Sequence, residues 1–404
     1  MKIQSNKKIP TKKRSFLLRA ILATMLLLII SGGTIWAMNM HRNKSNDKLN
    51  TTVKNTDPND NFIDSDNDRT NTNEPPEPEP VYVENPLNGE MMLDSLYNER
   101  SSYSPIAITI NNHTASRPQY GVTSADIVIE SLVESGITRF LEIHWSHPAD
   151  MVGSLRSLRN YALEWTVGYD AILAHDGWAL TDDPRTNAAG NVYNFGVRDL
   201  ATYGAWRDNV DGRVAPHNEF TSTKKLWERA EQLGWNDFDK AHYTSWKFKD
   251  DAPLEDRGSV DTIDINFISG YGYGYDVQWK YNKADNLYYR YTAGVQDKDG
   301  ATGTPVTAST VIVQYAPHMR SGDDKGRIII TTIGTGEAVI FHDGQAFDGT
   351  WEKATRTSRT VFKNMNGTSH EMTRGKIWIE VVSPNWGDVL TSTLGHPSGV
   401  QTKF

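Results

Sequence analysis

The 404-residue chain has no cysteine, so disulfides, thiolate metal sites and a thiol nucleophile are excluded and the fold must hold without covalent staples. It also lacks a G-x-S-x-G elbow and a Walker A lysine loop, which removes the commonest serine hydrolases and nucleotide enzymes. The alternating glycines of "SGYGYGYD" lead into another strand pattern, whereas a dinucleotide fingerprint needs a helix there. His144 and His147 in "HWSH" lack the H-E-x-x-H or carboxylate spacing of a zinc site. Neither a metal nor a cofactor is expected. Two further absences are local: the first nineteen residues hold seven Lys or Arg and no acid, and residues 20–38 hold no charge at all.

What is present at the amino terminus follows from those two absences. At the helical rise, nineteen uncharged residues reach roughly 29 Å, close to the hydrocarbon thickness of a bilayer. The basic residues before them put the amino terminus in the cytoplasm and the remainder outside. Ile35, three residues before a cut after Ala37, makes a poor A-x-A site, which favours a retained single-pass anchor over a cleaved signal peptide. Residues 30–33 have the form of a lipobox with Gly33 in the cysteine's place, so lipid cannot attach there. Removing the seven amino-terminal cations from the whole-chain charge of −8 leaves −15 on residues 20–404, which argues against nucleic acid or anionic membrane surfaces as partners.

The expected organisation is a basic segment 1–19, a transmembrane anchor 20–38, a linker 39–85, an α/β domain 86–251 and a smaller β-rich domain 252–404. The linker is Asn, Asp, Thr and Pro, ends in "NEPPEPEPVY", and has too little to bury to offset chain entropy. In the α/β part, residues 106–110, 127–129, 140–145 and 171–174 read as strands. A helix is expected from Ser154 through "LRSLRNYALEWTV", burying Leu155, Leu158, Ala162 and Trp165. Another follows Thr221 or Ser222, buries Leu226, Ala230 and Leu233, and stops at Gly234. Beyond 252, "DVQWKY" and "LYYRY" form a hairpin, and Asp343-Gly344 and Asn366-Gly367 mark two more in an antiparallel meander. "KIWIEVV" closes that sheet with Ile377, Ile379 and Val381 on one face.

Arginine gathers in the α/β part: Arg117, Arg139, Arg156 and Arg159, then Arg198, Arg207 and Arg213. A planar guanidinium matches two oxygens of a carboxylate or phosphate at once. The plainer alternative is that each pairs with an acid such as Glu130, Glu134, Glu142 or Glu164 in an ordinary bridge. "WRDNVDGRVAPHNEF" is the densest polar loop, carrying Arg207, Asp208, Arg213, His217, Asn218 and Glu219 around Pro216. His175, Asp176 and Gly177 follow a buried strand, at the strand end where α/β folds place ligands.

The runs "ITINN", "SRPQYGVTSADIVIESLVESGITRF", "VGSLRSLRNYALEW", "RVAPHNEFTS" and "GTGEAVIFHDGQAFDGTWEK" occur in order from about residue 86 almost to the carboxyl end. Together they resemble the YerB-like family of bacterial envelope lipoproteins, whose biochemical activity is not established. The resemblance implies an amino-terminal α/β part, a smaller β-rich carboxyl part, and a place in the envelope of mostly Gram-positive bacteria, usually through a lipid anchor. The chain departs from the family pattern at Gly33, where the lipobox cysteine would stand. It has "GSLRSLR" where members have a "GPVRSAR"-like run, keeping Arg156 and Arg159, and the bulky Trp178 where members have a small turn after His175.

These readings place Asn111, Asn112, Arg117, Arg139, Arg156, Arg159, Arg207, Arg213, His217 and Asn218 around one strand-end cleft. The function expected is an anchored envelope protein that binds an anionic or glycan wall component, or a wall-modifying protein. The alternative is a hydrolase or transferase with candidates Glu130, His175, Asp208 and His217 for acid and base roles and arginines stabilising charge.

Overall fold

The computed structural model describes residues 79–391 apart from 244, 245, 269–273, 385 and 387. The segments expected at 1–19 and 20–38, and all but the last few residues of the linker, lie outside the described residues. Among the described residues no helix is long and apolar enough to cross a membrane.

The described strands used below are β1 (Ile106–Asn111), β2 (Ile127–Leu132), β3 (Thr138–His144), β4 (Ile172–Ala174), β5 (Asp199–Ala201), β6 (Glu219–Thr221), β7 (Thr262–Asn266), β8 (Val277–Asn282), β9 (Leu287–Thr292), β10 (Thr310–Tyr315), β11 (Gly334–His342), β12 (Gln345–Lys353), β13 (Val361–Asn364) and β14 (Ile377–Val382). The described α-helices are α1 (Asp94–Arg100), α2 (Asn160–Gly168), α3 (Ala188–Asn194) and α4 (Thr223–Gln232). Ten strands form one mixed sheet in the order β13-β12-β11-β10-β14-β2-β3-β1-β4-β5. Seven of them, β12, β10, β14, β2, β1, β4 and β5, run the same way, so their carboxyl ends share one edge.

The sheet takes five strands from each side of residue 252, so the expected boundary does not divide it. The join is β14, which pairs in parallel with β10 on one side and β2 on the other. Residues 377–382 were expected to close a meander with one buried face; they are instead central and buried throughout. A strand covered on both faces reads as a near-continuous apolar run, and "IWIEVV" is one. A second sheet, with β7, β8 and β9 in antiparallel succession, packs on the first, where the Trp279 ring meets Trp378 at 5.2 Å.

Between the sheets lies a buried ionic clamp. Glu130 and Glu380 are cross-strand partners on β2 and β14. Arg290 of β9 reaches Glu130 at 2.5 Å, pairs with Asp297, and lies 4.8 Å over the Trp378 ring. Burial, then the neighbouring Glu130 charge, raises the Glu380 pKa far above the carboxylate range. The cluster suits one cation facing two carboxylates, Glu130 and Asp297, and one protonated acid, Glu380, because an unpaired buried charge is far costlier than a paired one.

The helix expected from Ser154 begins instead at Asn160. Residues 154–158 are an extended strap held sideways by backbone hydrogen bonds. Arg156 N–H donates to Thr109 O, Leu155 N–H to Glu219 O, Asp176 N–H to Arg156 O, and Leu158 N–H to Gly177 O. Leu155 and Leu158 are both buried because the strap is covered on both sides, and their three-residue spacing therefore mimicked a helix. The α4 expectation holds with Ser222 at the N-cap and Leu226 and Ala230 buried, but Leu233 is 39% exposed.

Candidate functional site

The strap crosses the carboxyl ends of β1 and β4, between the turn after Asn111, the turn after Ala174 and the loop leading into β6. Gly153 makes this crossing possible: its φ is +154°, and a Cβ there would sit 2.7 Å from Phe220 Cδ1 and 2.8 Å from Glu219 O. Around the strap stand Asn111, His113, Arg156, His175, Asp176, Arg207, His217 and Glu219.

Hydrogen bonds fix the tautomers of two imidazoles. Asn111 Oδ1 accepts from His113 N–H, so its amide nitrogen is the group 3.0 Å from His217 Nδ1, which must accept. His113 Nδ1 accepts from Ala115 N–H. Both neutral rings therefore carry their proton on Nε2, and they stack with centroids 4.5 Å apart. Burial and then the nearby His113, Arg156 and Arg213 lower the His217 pKa, and no carboxylate offsets them. Arg156 is half-buried and its guanidinium makes no hydrogen bond or ion pair with a described residue. The Ser154 hydroxyl is buried and without a partner; as i and i+2 of an extended strap, Ser154 and Arg156 lie on one face. Three N–H donor groups thus gather without a competing acid.

Beside them sits a compensated cluster. Arg207 pairs with Glu219, lies 3.6 Å from Asp176, and donates to Asn218 Oδ1 at 3.1 Å. Burial, then a hydrogen bond with Asp176, raises the Glu219 pKa. His175, 1% exposed, has Nδ1 2.7 Å from Gly177 O and Nε2 3.2 Å from Asp199 Oδ1.

The other expected residues do not converge. Arg159 is held bidentately by Glu134 at 2.7 and 2.8 Å, the ordinary bridge, and sits at the N-cap of α2 rather than on a helix face with Arg156. Arg139 donates to Ser157 O, and Arg213 to Pro118 O while lying over the Tyr120 ring. Arg117 is bound by Asn112 and by Gly274 O at 2.6 Å, and Asn112 itself donates to Thr138 and Glu130. Asn218 donates to Asn209, bracing the loop. Asp208 is exposed, and its backbone N–H donates to Asn218 O. Glu130, a candidate acid, is 0% exposed and committed to the Arg290 clamp, beyond the reach of a ligand. Of the six arginines expected in the cleft, Arg156 and Arg207 stand around the strap, and only Arg156 keeps a guanidinium without a described hydrogen bond or ion pair, because backbone carbonyls, amides and acids meet the others. His113 was not named as a site residue, although it directly follows the strand-end asparagines, and Asp176 and Glu219, noted within their polar segments, were not placed in the cleft.

His144 and His147 turn to different carboxylates, Glu142 and Glu90, and no group of three or more His, Asp or Glu among the described residues is placed to hold a metal. A cavity of about 370 Å³ near α2 and α3 contains Arg356, but that guanidinium lies 3.8 Å from the Phe195 centroid and 3.8 Å from Glu164, so its charge is already met.

A two-part chain with parallel strands from both halves and a strap across their ends defines its class: residues 93–236 match the protein of unknown function (DUF3048) N-terminal domain and residues 263–379 the DUF3048 C-terminal domain, and the chain belongs to this family. Within it, the chain is 30% identical over 279 residues to the Bacillus subtilis (strain 168) protein described as "Putative lipoprotein YerB", covering 69% of this chain and 81% of that relative. The crystal structure of YerB from Bacillus subtilis superposes with a TM-score of 0.65 at 27% identity, covering 76% of this chain and 99% of that one.

Proposed function

We propose that this protein is an envelope protein, anchored by residues 20–38, whose strand-end site binds an anionic group on a cell-wall component. The observation that carries the reading is the set of uncompensated donors: the Arg156 guanidinium with the Nε2–H groups of His113 and His217, both of whose Nδ1 atoms are already occupied. Such groups suit phosphate or carboxylate oxygens, and charge-assisted hydrogen bonds are the stronger kind. The relative's description as a lipoprotein supports the location. Catalysis has less support, because His217 in this tautomer offers no free lone pair to act as a base. The test is co-sedimentation of the full chain, in detergent, with purified wall material that carries phosphodiester polymer. Retention of the wild type and release of Arg156→Ala are expected; equal behaviour of the two would overturn the reading.

A further inference from the structure

The compensated cluster beside Arg156 has the chemistry of a different kind of subsite. Asp176 after β4, Glu219 on β6 and Arg207 paired opposite Glu219 bring acceptors and donors together beside the strap. Side-chain exposures of 26%, 12% and 45% leave all three within reach of solvent. Two residues from Asp176, Trp178 is 40% exposed and pairs through its backbone with Leu158 of the strap, its ring 5.4 Å from His175. That exposure leaves an aromatic face open to solvent at the strand-end turn. Behind it, the His175 Nε2 is buried without a properly aligned hydrogen bond.

Glycoside-cleaving pairs hold their carboxyls roughly 5–9.5 Å apart, leaving room for a glycosidic bond and water. Asp176 and Glu219 instead both approach one guanidinium nitrogen of Arg207, which ties the two carboxyls together. Paired carboxyls beside a guanidinium can accept from and donate to adjacent hydroxyls, while the apolar face of a sugar ring rests on an indole.

We propose that Asp176, Glu219, Arg207 and Trp178 form a saccharide-recognition subsite adjoining Arg156, so that the ligand is a sugar carrying an anionic substituent. The inference rests on the anion-binding reading for the second half of the ligand only. It is tested by calorimetry on the full chain in detergent with two separate probes, the uncharged N-acetylglucosamine trimer and inorganic phosphate. The wild type is expected to bind both. Trp178→Ala and Glu219→Gln should each weaken trimer binding at least tenfold with phosphate affinity unchanged, and Trp178→Phe should keep trimer binding within about threefold by retaining a ring. Thermal melts establish that each variant is folded. No trimer binding by the wild type, or wild-type trimer affinity in either Trp178→Ala or Glu219→Gln, overturns the subsite. Phosphate binding that survives Arg156→Ala overturns the anion reading alone, so the two failures are distinguishable.

Discussion

Replacing Arg156 with alanine separates a ligand-binding arginine from a structural one. Its guanidinium holds no described partner, so removing it strands no acceptor, and its backbone bonds to Thr109 and Asp176 remain. The stability change should stay within about 0.5 kcal/mol, as for surface substitutions away from special features. Hydrogen bonds to charged groups are worth about 1.5–3 kcal/mol, so phosphate affinity should fall roughly 10- to 150-fold. Arg159→Ala provides the contrast. It leaves the Glu134 carboxylate, 17% exposed, without its bidentate partner and should cost about 1–3 kcal/mol with little change in phosphate affinity. Arg156→Ala should also raise the His217 pKa, since Arg156 is one of the like charges holding it down. Urea unfolding, calorimetry and an NMR titration of the imidazole signals give the three readouts. Equal destabilisation by both substitutions, with phosphate affinity unmoved in Arg156→Ala, would refute the reasoning.

Burial pulls the His318 pKa down to about 4, so unfolding takes up a proton between about pH 6.5 and 4 and stability is lost as pH falls through that window. Urea unfolding at pH 5 against pH 7 should show about 2 kcal/mol from this residue, absent in His318→Gln. In the clamp, Arg290→Met leaves the buried Glu130 and the partly buried Asp297 without their cation and should cost about 3–5 kcal/mol by denaturant titration. Gly153→Ala drives a Cβ into Phe220 and the Glu219 carbonyl; a loss of about 1–3 kcal/mol and a displaced strap, seen as shifted Arg156 and His217 NMR signals, are expected.

Strands were legible where apolar residues clustered: the expected 106–110 and 171–174 fall within a residue of β1 and β4. The Asp343-Gly344 turn was equally plain, both residues having positive φ. The strap was misread because burial on two sides gives leucines a spacing that a one-sided helix also gives. The place of β14 at the centre of the sheet depended on pairing with β2, some 250 residues earlier, which no local pattern encodes. The same limit governed the arginines. Arg159 finds Glu134 25 residues away and Arg290 finds Glu130 at a separation of 160, so which guanidinium remains unmet emerges only from the folded chain.

The central claim is that the donors around Arg156 await an anion, and nitrogen-15 NMR of the His113 and His217 rings, read before and after adding phosphate, tests it most directly. The account predicts protonated Nε2 and bare Nδ1 in both free rings, then a rise in the His217 pKa when phosphate binds. A proton on His217 Nδ1, or ring signals indifferent to phosphate, would contradict it.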